Sequence, residues 1–462
     1  MLVPKNWTPL IAAALMALIS VVAGCRCPSC KCVPPTPVAP CSFERVAPDT
    51  SAPDLAALLP ADTPSPADYP CLLPAPTESY EALDASACQC NAATNADVAN
   101  AVQIERHWAN VLISCEEGVV EESLCLTRSL LSLQAADLRN GAAAAALTAF
   151  YLLAGVEAQQ DVLDRGVSEA LATLRRIDDL TGQGLPVPDQ LDRGVIAAQV
   201  ATLKDKRLQL CFARIQLNGQ LKRLLGCPLD ERTFFWPRAA WAPDLTPVDV
   251  EGAVAEGLAQ RSDVRSLGIV RCKLSKATVP VARKVLAVAD ATLGAVVPAS
   301  GLLHQFRCGD CEDHEIAVRC RQLRLIENYN TELAIAKIKS AAFKVGVQQD
   351  RVRLAKQAVD ERRWELESLV KRREAEDISI FEVSAARGRL YDAETSLIEK
   401  VVELKVARVA LHEVQGRLAV ECGYAVTICG EHCCTGNCTT GPWAGCCGAA
   451  CSESTCCDAV TP

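Results

Sequence analysis

The stretch RREAEDISIFEVSAARGRL, residues 372–390, holds the end of one helix and the start of another. Charged, helix-favouring residues run up to Asp377, and a new amphipathic pattern begins at once after it. Between the two, SIFE reads as a capping box, in which Ser379 caps the returning helix and Glu382 reaches back to it. The chain therefore turns back at a hairpin tip over Asp377 to Ser379. Apolar residues recur every seven positions on both sides of that tip. Ile338, Val345, Val352, Val359 and Leu366 lead up to it, and Val383, Leu390, Leu397, Leu404, Leu411 and Leu418 lead away. A strict seven-residue repeat predicts helices that supercoil around a partner.

The same layout occurs about 190 residues earlier. Helical signal over about 97–117 and 122–181 ends in LTGQGLPVPDQ, where Gly182, Gly184 and two prolines force a break. Asp189 is the expected N-cap of a returning arm that carries Ile196, Leu203, Leu210, Leu217 and Leu224 at intervals of seven and closes at Leu225 and Gly226. Asp189 to Gly226 and Ser379 to Gly416 are each 38 residues. The two rows differ in phase by three, so the repeat is one of layout more than of residues. Two unrelated coiled-coil hairpins are the plainer alternative. The expected fold is mainly α, with two long antiparallel coiled-coil hairpins produced by internal duplication. An ascending arm from His314 to Glu376 would reach about 95 Å.

Composition agrees, since half of the 462 residues are hydrophobic but only 4% are aromatic. That balance suits Ala/Leu/Val helices better than an aromatic-rich β protein, and the length allows two or three domains. A net charge of −9 without a basic stripe excludes nucleic acid as a partner. Lys5, an apolar run from Leu10 to Val22, and Ala23 and Gly24 before Cys25 read as an export signal. VVAGC resembles a bacterial lipobox, although Val22 stands where Leu is more usual. On that reading residues 1–25 are a signal peptide and Cys25 carries the lipid anchor, which two or more acyl chains make stable. An ordinary signal peptide cut nearby is the alternative. Export places the other 25 cysteines in an oxidising compartment. Residues 26–95, with VPPTPVAP and PADTPSPADYP, read as a Pro/Ala-rich spacer. The helical repeats follow at 96–226 and 227–420, and a tail at 421–462.

Taken together, ALTAFYLLAGVEAQQDVLDRGV, QLCFARIQLNGQLKRLLG, LAQRSDVRSLGIVRCKL and ISIFEVSAARGRLYDAETSLIEKVVELKVARVALHEVQG resemble the TolC-like outer-membrane efflux proteins over roughly residues 122–420. The motif residues are Leu224, Leu225 and Gly226, then Arg261, Asp263 and Arg265, with Ser262 where the family usually has Pro. The resemblance implies a homotrimer whose six hairpins close a twelve-helix periplasmic tunnel. It also implies a body in the periplasm, lipid-anchored to the outer membrane, with tips docked on the periplasmic adaptor of an inner-membrane pump. Those tips are about residues 181–192 and 372–382, including Gly182, Gly184, Asp189, Arg372, Arg373, Glu374, Glu376, Asp377 and Ser379. A charge run that is merely solvated is the plainer reading of the second tip.

One departure concerns the membrane. Family members insert two barrel strands ahead of each long ascending arm, and such strands need 9 to 11 alternating residues with aromatic girdles. LGAVVPASGLLHQFRCGDCEDH offers only Phe306, and LISCEEGVVEESLCLTRSLLSLQAADLRNGAAAA shows helical spacing. Little or no β-barrel is expected.

The tail holds ten cysteines between Cys422 and Cys457. A disulfide-knit appendage, thiolate capture of metal by Cys433, Cys434, Cys438, Cys446 and Cys447, disorder, and crosslinking to another chain are the readings it allows. Cys308, Cys311, His314 and Cys320 stand at ligand-like spacings, against the simpler reading of a loop disulfide. His107 and His412 fall on helices, where ordinary packing is the simpler role. No phosphate-cradling loop, HExxH or Ser/His/Asp pattern points to an enzyme, and no cofactor is expected. A different class remains open: a structural coiled-coil envelope lipoprotein with a disulfide-crosslinked tail.

Overall fold

The computed structural model of the chain describes residues 79–113, 119–184, 193–229, 233–297, 311–374, 378–426 and 428. In chain order these form β1 (Ser79–Asp84), α1 (Ala85–Thr94), α2 (Asp97–Ile113), α3 (Val119–Gly182), α4 (Arg193–Leu224) and β2 (Thr233–Arg238). Then follow α5 (Val250–Gln260), α6 (Ser262–Cys272), α7 (Val279–Ala289), α8 (Cys311–Glu374), α9 (Ile380–Gln415) and α10 (Arg417–Glu421).

Helices α8 and α9 are the hairpin read around Ser379. The Ser379 hydroxyl accepts from the Phe381 amide at 3.2 Å, satisfying one of the orphan first-turn donors. Glu382 stays exposed in the first turn, so Ser379 makes the cap alone. At the far end Gly416, with φ of 75°, closes α9 in the left-handed conformation a C-cap favours. Between the caps, the seven-residue rows are buried where the pattern put them. Ile338, Val345, Val352 and Val359 face Leu390, Leu397, Leu404 and Leu411 in one core, with Leu366 packed against it.

Helices α3 and α4 form the other hairpin. Both long arms, α3 and α8, have 64 residues, which at 1.5 Å per residue is about 96 Å. The row expected to be buried on α4 is not its main seam. Ile196, Leu203, Leu210, Leu217 and Leu224 are only half-buried, while Val200, Cys211, Arg214, Asn218 and Leu221 are buried. Charged and polar residues share that seam with apolar ones, and counting apolar residues could not reveal them.

The Pro/Ala-rich region ends earlier than expected. Residues 79–94 are folded as β1 and α1, and Leu83, Cys88, Ala92 and Ala93 are fully buried. These small and apolar residues dock α1 against α3, while β1 joins β2 and α1, packing that no local pattern signals. β1 pairs in parallel with β2, from Ser79 opposite Thr233 to Asp84 opposite Arg238. Among the described residues these are the only strands, and no barrel is formed. Helix α3 is apolar enough to cross a bilayer by composition, but 67% of its most apolar window is buried inside the fold.

The segment after β2 is an extended strap across the second hairpin. Gln349 and Arg408 donate to the Thr246 carbonyl, at 2.7 and 3.3 Å, Arg408 also to that of Asp244, and Lys405 to that of Ala242. Side chains of α8 and α9 thereby pin this exposed strap by its backbone carbonyls. Cys25, Asp189, Glu376, Asp377, Cys308 and the tail beyond Ile428 lie outside the described residues.

Candidate tunnel wall

The long helices pack in the order α8, α9, α3, α4, so each hairpin is bound to the other through α9 and α3. Near the start of the long arms the order becomes α2, α3, then α6 and α7, then α8. One flank of this layer is therefore α8 along its whole length. The other is α2 followed by α4.

A ladder of ion pairs joins α3 to α4. Asp178 pairs with Arg193 at 2.6 Å, Asp164 with Arg207 at 3.1 Å and Glu157 with Arg214 at 2.7 Å. The acids and the arginines are spaced by seven or fourteen residues, so the rungs stand in one coiled-coil register. A search for repeating charges on facing arms could have found them. Burial changes along the ladder from the exposed rung at the tip to the sealed rung at Arg214. Arg214 also lies over the Tyr80 and Phe234 rings and hydrogen-bonds the Tyr80 hydroxyl, which fastens the small sheet to the hairpin.

Between the hairpins the contact is ionic toward the tips. Fully buried Glu394 on α9 faces Arg165 on α3 at 3.3 Å and Arg363 on α8 at 3.7 Å. Burial raises the Glu394 pKa, against the opposing pull of the two arginines. Nearer the tip Arg387 pairs with Glu169 at 3.0 Å, and Ser384 donates to the same carboxylate.

The motif residues are the joints of the two repeats. Leu225 is fully buried, and Gly226, with φ of 69°, ends the α4 arm against Asn95, whose side chain donates to the Leu225 carbonyl at 2.7 Å. In the second repeat Gly416 ends the α9 arm against Gln260 and Arg261, and Arg261 donates to the Val414 carbonyl at 2.7 Å. Asp263 orients Arg261 through an ion pair, and Arg265 donates to the Val426 carbonyl at 2.6 Å. A left-handed glycine and a side-chain donor at a junction of short helices thus close each returning arm. Asn95 was not legible as a joint.

Gly182 ends α3 and Gly184 has φ of 67°, which opens the first tip. Arg372 and Arg373 are exposed in the last turn of α8, where cations suit the helix dipole. Of the weak metal candidates, Cys311 and Cys320 are disulfide-bonded, so neither is a thiolate ligand. Among the described residues no group of three His, Cys, Asp or Glu could hold a metal.

No protein-family model matches the sequence, and no curated protein matches it either. Solved structures do resemble the fold. The outer-membrane channel OprN superposes with a TM-score of 0.52 at 14% identity, covering 82% of this chain and 98% of that one. CusC gives 0.49 at 11% identity over 72% and 96% of the two chains. The outer-membrane channel CmeC of Campylobacter jejuni gives 0.46 at 10% identity over 65% and 67%. The likeness to OprN shows the fold: this chain has a TolC-like helical fold. It carries that fold without barrel strands among the described residues.

Proposed function

We propose that the chain is one protomer of a TolC-like efflux component, a passive periplasmic tunnel closed by three copies. The observation that carries this reading is the pair of unlike flanks that no described residue covers. On the α4 flank Leu208, Phe212 and Ile215 are exposed, and on the α8 flank Phe343, Val347, Leu354 and Trp364 are exposed. Closer to the start of the long arms, Ile104 and Trp108 of α2 and Leu325 and Tyr329 of α8 repeat the arrangement. Exposed apolar residues at helical spacing along both flanks need a cover. Because the flanks differ, copies join head to tail, and such contacts close into a ring when the rotation permits.

Within that ring the residues do no chemistry. The body stands in the periplasm, anchored to the outer membrane through Cys25. The tips around Gly182, Gly184, Asp189, Arg372, Arg373, Glu376, Asp377 and Ser379 meet a periplasmic adaptor, and the inner-membrane pump supplies the energy. A structural envelope lipoprotein is the second reading, favoured by the lack of barrel strands among the described residues. End-on electron microscopy of the detergent-solubilised protein separates the two. A three-fold ring with an open centre supports the tunnel, and a solid rod supports the strut.

A further inference from the structure

The C-terminal segment after α10 crosses from one repeat to the other. Cys422 is disulfide-bonded to Cys90 of α1, 332 residues away in sequence. Beside that bond Gln89 donates to the Leu418 carbonyl and to the Glu421 carboxylate, both at 2.9 Å. Tyr424 donates to the Thr94 hydroxyl at 2.9 Å, and the Arg139 guanidinium lies 4.4 Å from its ring centre. Further on, Arg265 of α6 holds the Val426 carbonyl. Ile428 is buried in a separate apolar cluster with Leu126, Leu267, Val270 and Leu323. Leu126 and Leu323 stand near the starts of α3 and α8, so this cluster sits at the end of the bundle away from the hairpin tips.

We propose that Cys90–Cys422 is a redox latch. Closed, it holds residues 422–426 across α1, α3 and α6, seats Ile428 in its cluster, and keeps the cluster under α6 and α7 covered. Open, it frees the segment and loosens α6 and α7, while the two long hairpins stay packed along their own seams, apolar in the second and threaded with ion pairs in the first. The bond is reachable, because both sulfur-bearing residues are only half-buried. The neighbouring Cys88 does not compete for it: its thiol is buried, and burial pushes its pKa up to about 12, which denies it the thiolate that exchange requires. Closing transfers two electrons from the Cys90 and Cys422 thiols, with loss of both protons, to an exported thiol–disulfide oxidoreductase, which leaves as a dithiol. Opening is the reverse exchange with a reduced dithiol of the same class.

Hydrogen exchange on the full chain tests the latch. The double variant C90S/C422S, kept oxidising so that the other disulfides persist, should exchange more than tenfold faster over residues 262–289 and 417–428. The buried positions of α8 and α9 should keep wild-type protection. The variant R265A, which leaves the disulfide intact, should loosen residues 422–428 by less. If the serine variant does not fold, mild reduction of the folded wild type with alkylation of Cys422 supplies the same comparison. Unchanged exchange in 262–289, or an equal rise over the whole chain, overturns the proposal.

Discussion

Arg214 and Glu157 face each other 2.7 Å apart across the seam of α3 and α4, with side chains only 1% and 5% exposed. Removing one member of such a pair leaves the other charge desolvated and uncompensated. Arg214→Ala or Glu157→Ala should therefore cost about 3–5 kcal/mol. Replacing both by Met and Leu should cost clearly less. Urea unfolding midpoints check both. Arg193→Ala, at the exposed rung, should leave the midpoint within error of wild type, because water screens that pair.

Acid should weaken the joint of α7 and α8. Glu315 accepts from Arg283 at 2.7 Å and from Arg319 at 3.2 Å. Arg283 first, and Arg319 after it, hold the Glu315 carboxyl below its ordinary value. A depressed carboxylate contributes stability that is present above the unfolded value and is lost as pH falls through the folded one. Unfolding free energy should thus decline as pH drops from the ordinary glutamate value of 4.5. Glu315→Gln should flatten part of that decline in denaturation series at graded pH.

The arm-closing glycines should resist substitution unequally. At Gly416 an added Cβ meets nothing nearer than the Gln260 carbonyl at 3.4 Å, so Gly416→Ala should cost only the left-handed backbone, about 1–2 kcal/mol. At Gly226 the added Cβ would also meet the Asn95 side chain at 3.0 Å. Thermal unfolding should show the larger loss for Gly226→Ala.

The two flanks make a prediction about assembly alone. Phe212 and Trp364 are 69% and 74% exposed, so neither supports the fold of one chain. Phe212→Glu or Trp364→Glu should abolish association in sedimentation velocity while leaving the denaturation midpoint of the dissociated chain unchanged.

The second hairpin was legible almost residue by residue because its signals are local. Ser379 and Gly416 mark its returning arm by their own cap conformations, and its apolar rows sit in the seam itself. The first hairpin was legible only in outline. Its turn glycines showed, but its seam runs through Arg207, Arg214 and Asn218, which an apolar count passes over. β1 and α1 went unread because sixteen residues after a proline-rich run acquire their structure from α3 and β2, not from their own pattern. For the same reason the strap over α8 and α9 was invisible: its partners Gln349 and Arg408 lie more than a hundred residues further along the chain. Arg261, Asp263 and Arg265 were legible as a motif, but their work at the ends of α9 and the C-terminal segment was not.

The mass of the mature protein in detergent, by light scattering with the detergent subtracted, bears most directly on whether these flanks close a tunnel. A stable trimer is the predicted result. A monomer, or a disulfide-linked ladder that collapses to monomer on reduction, would contradict the ring and leave an envelope strut.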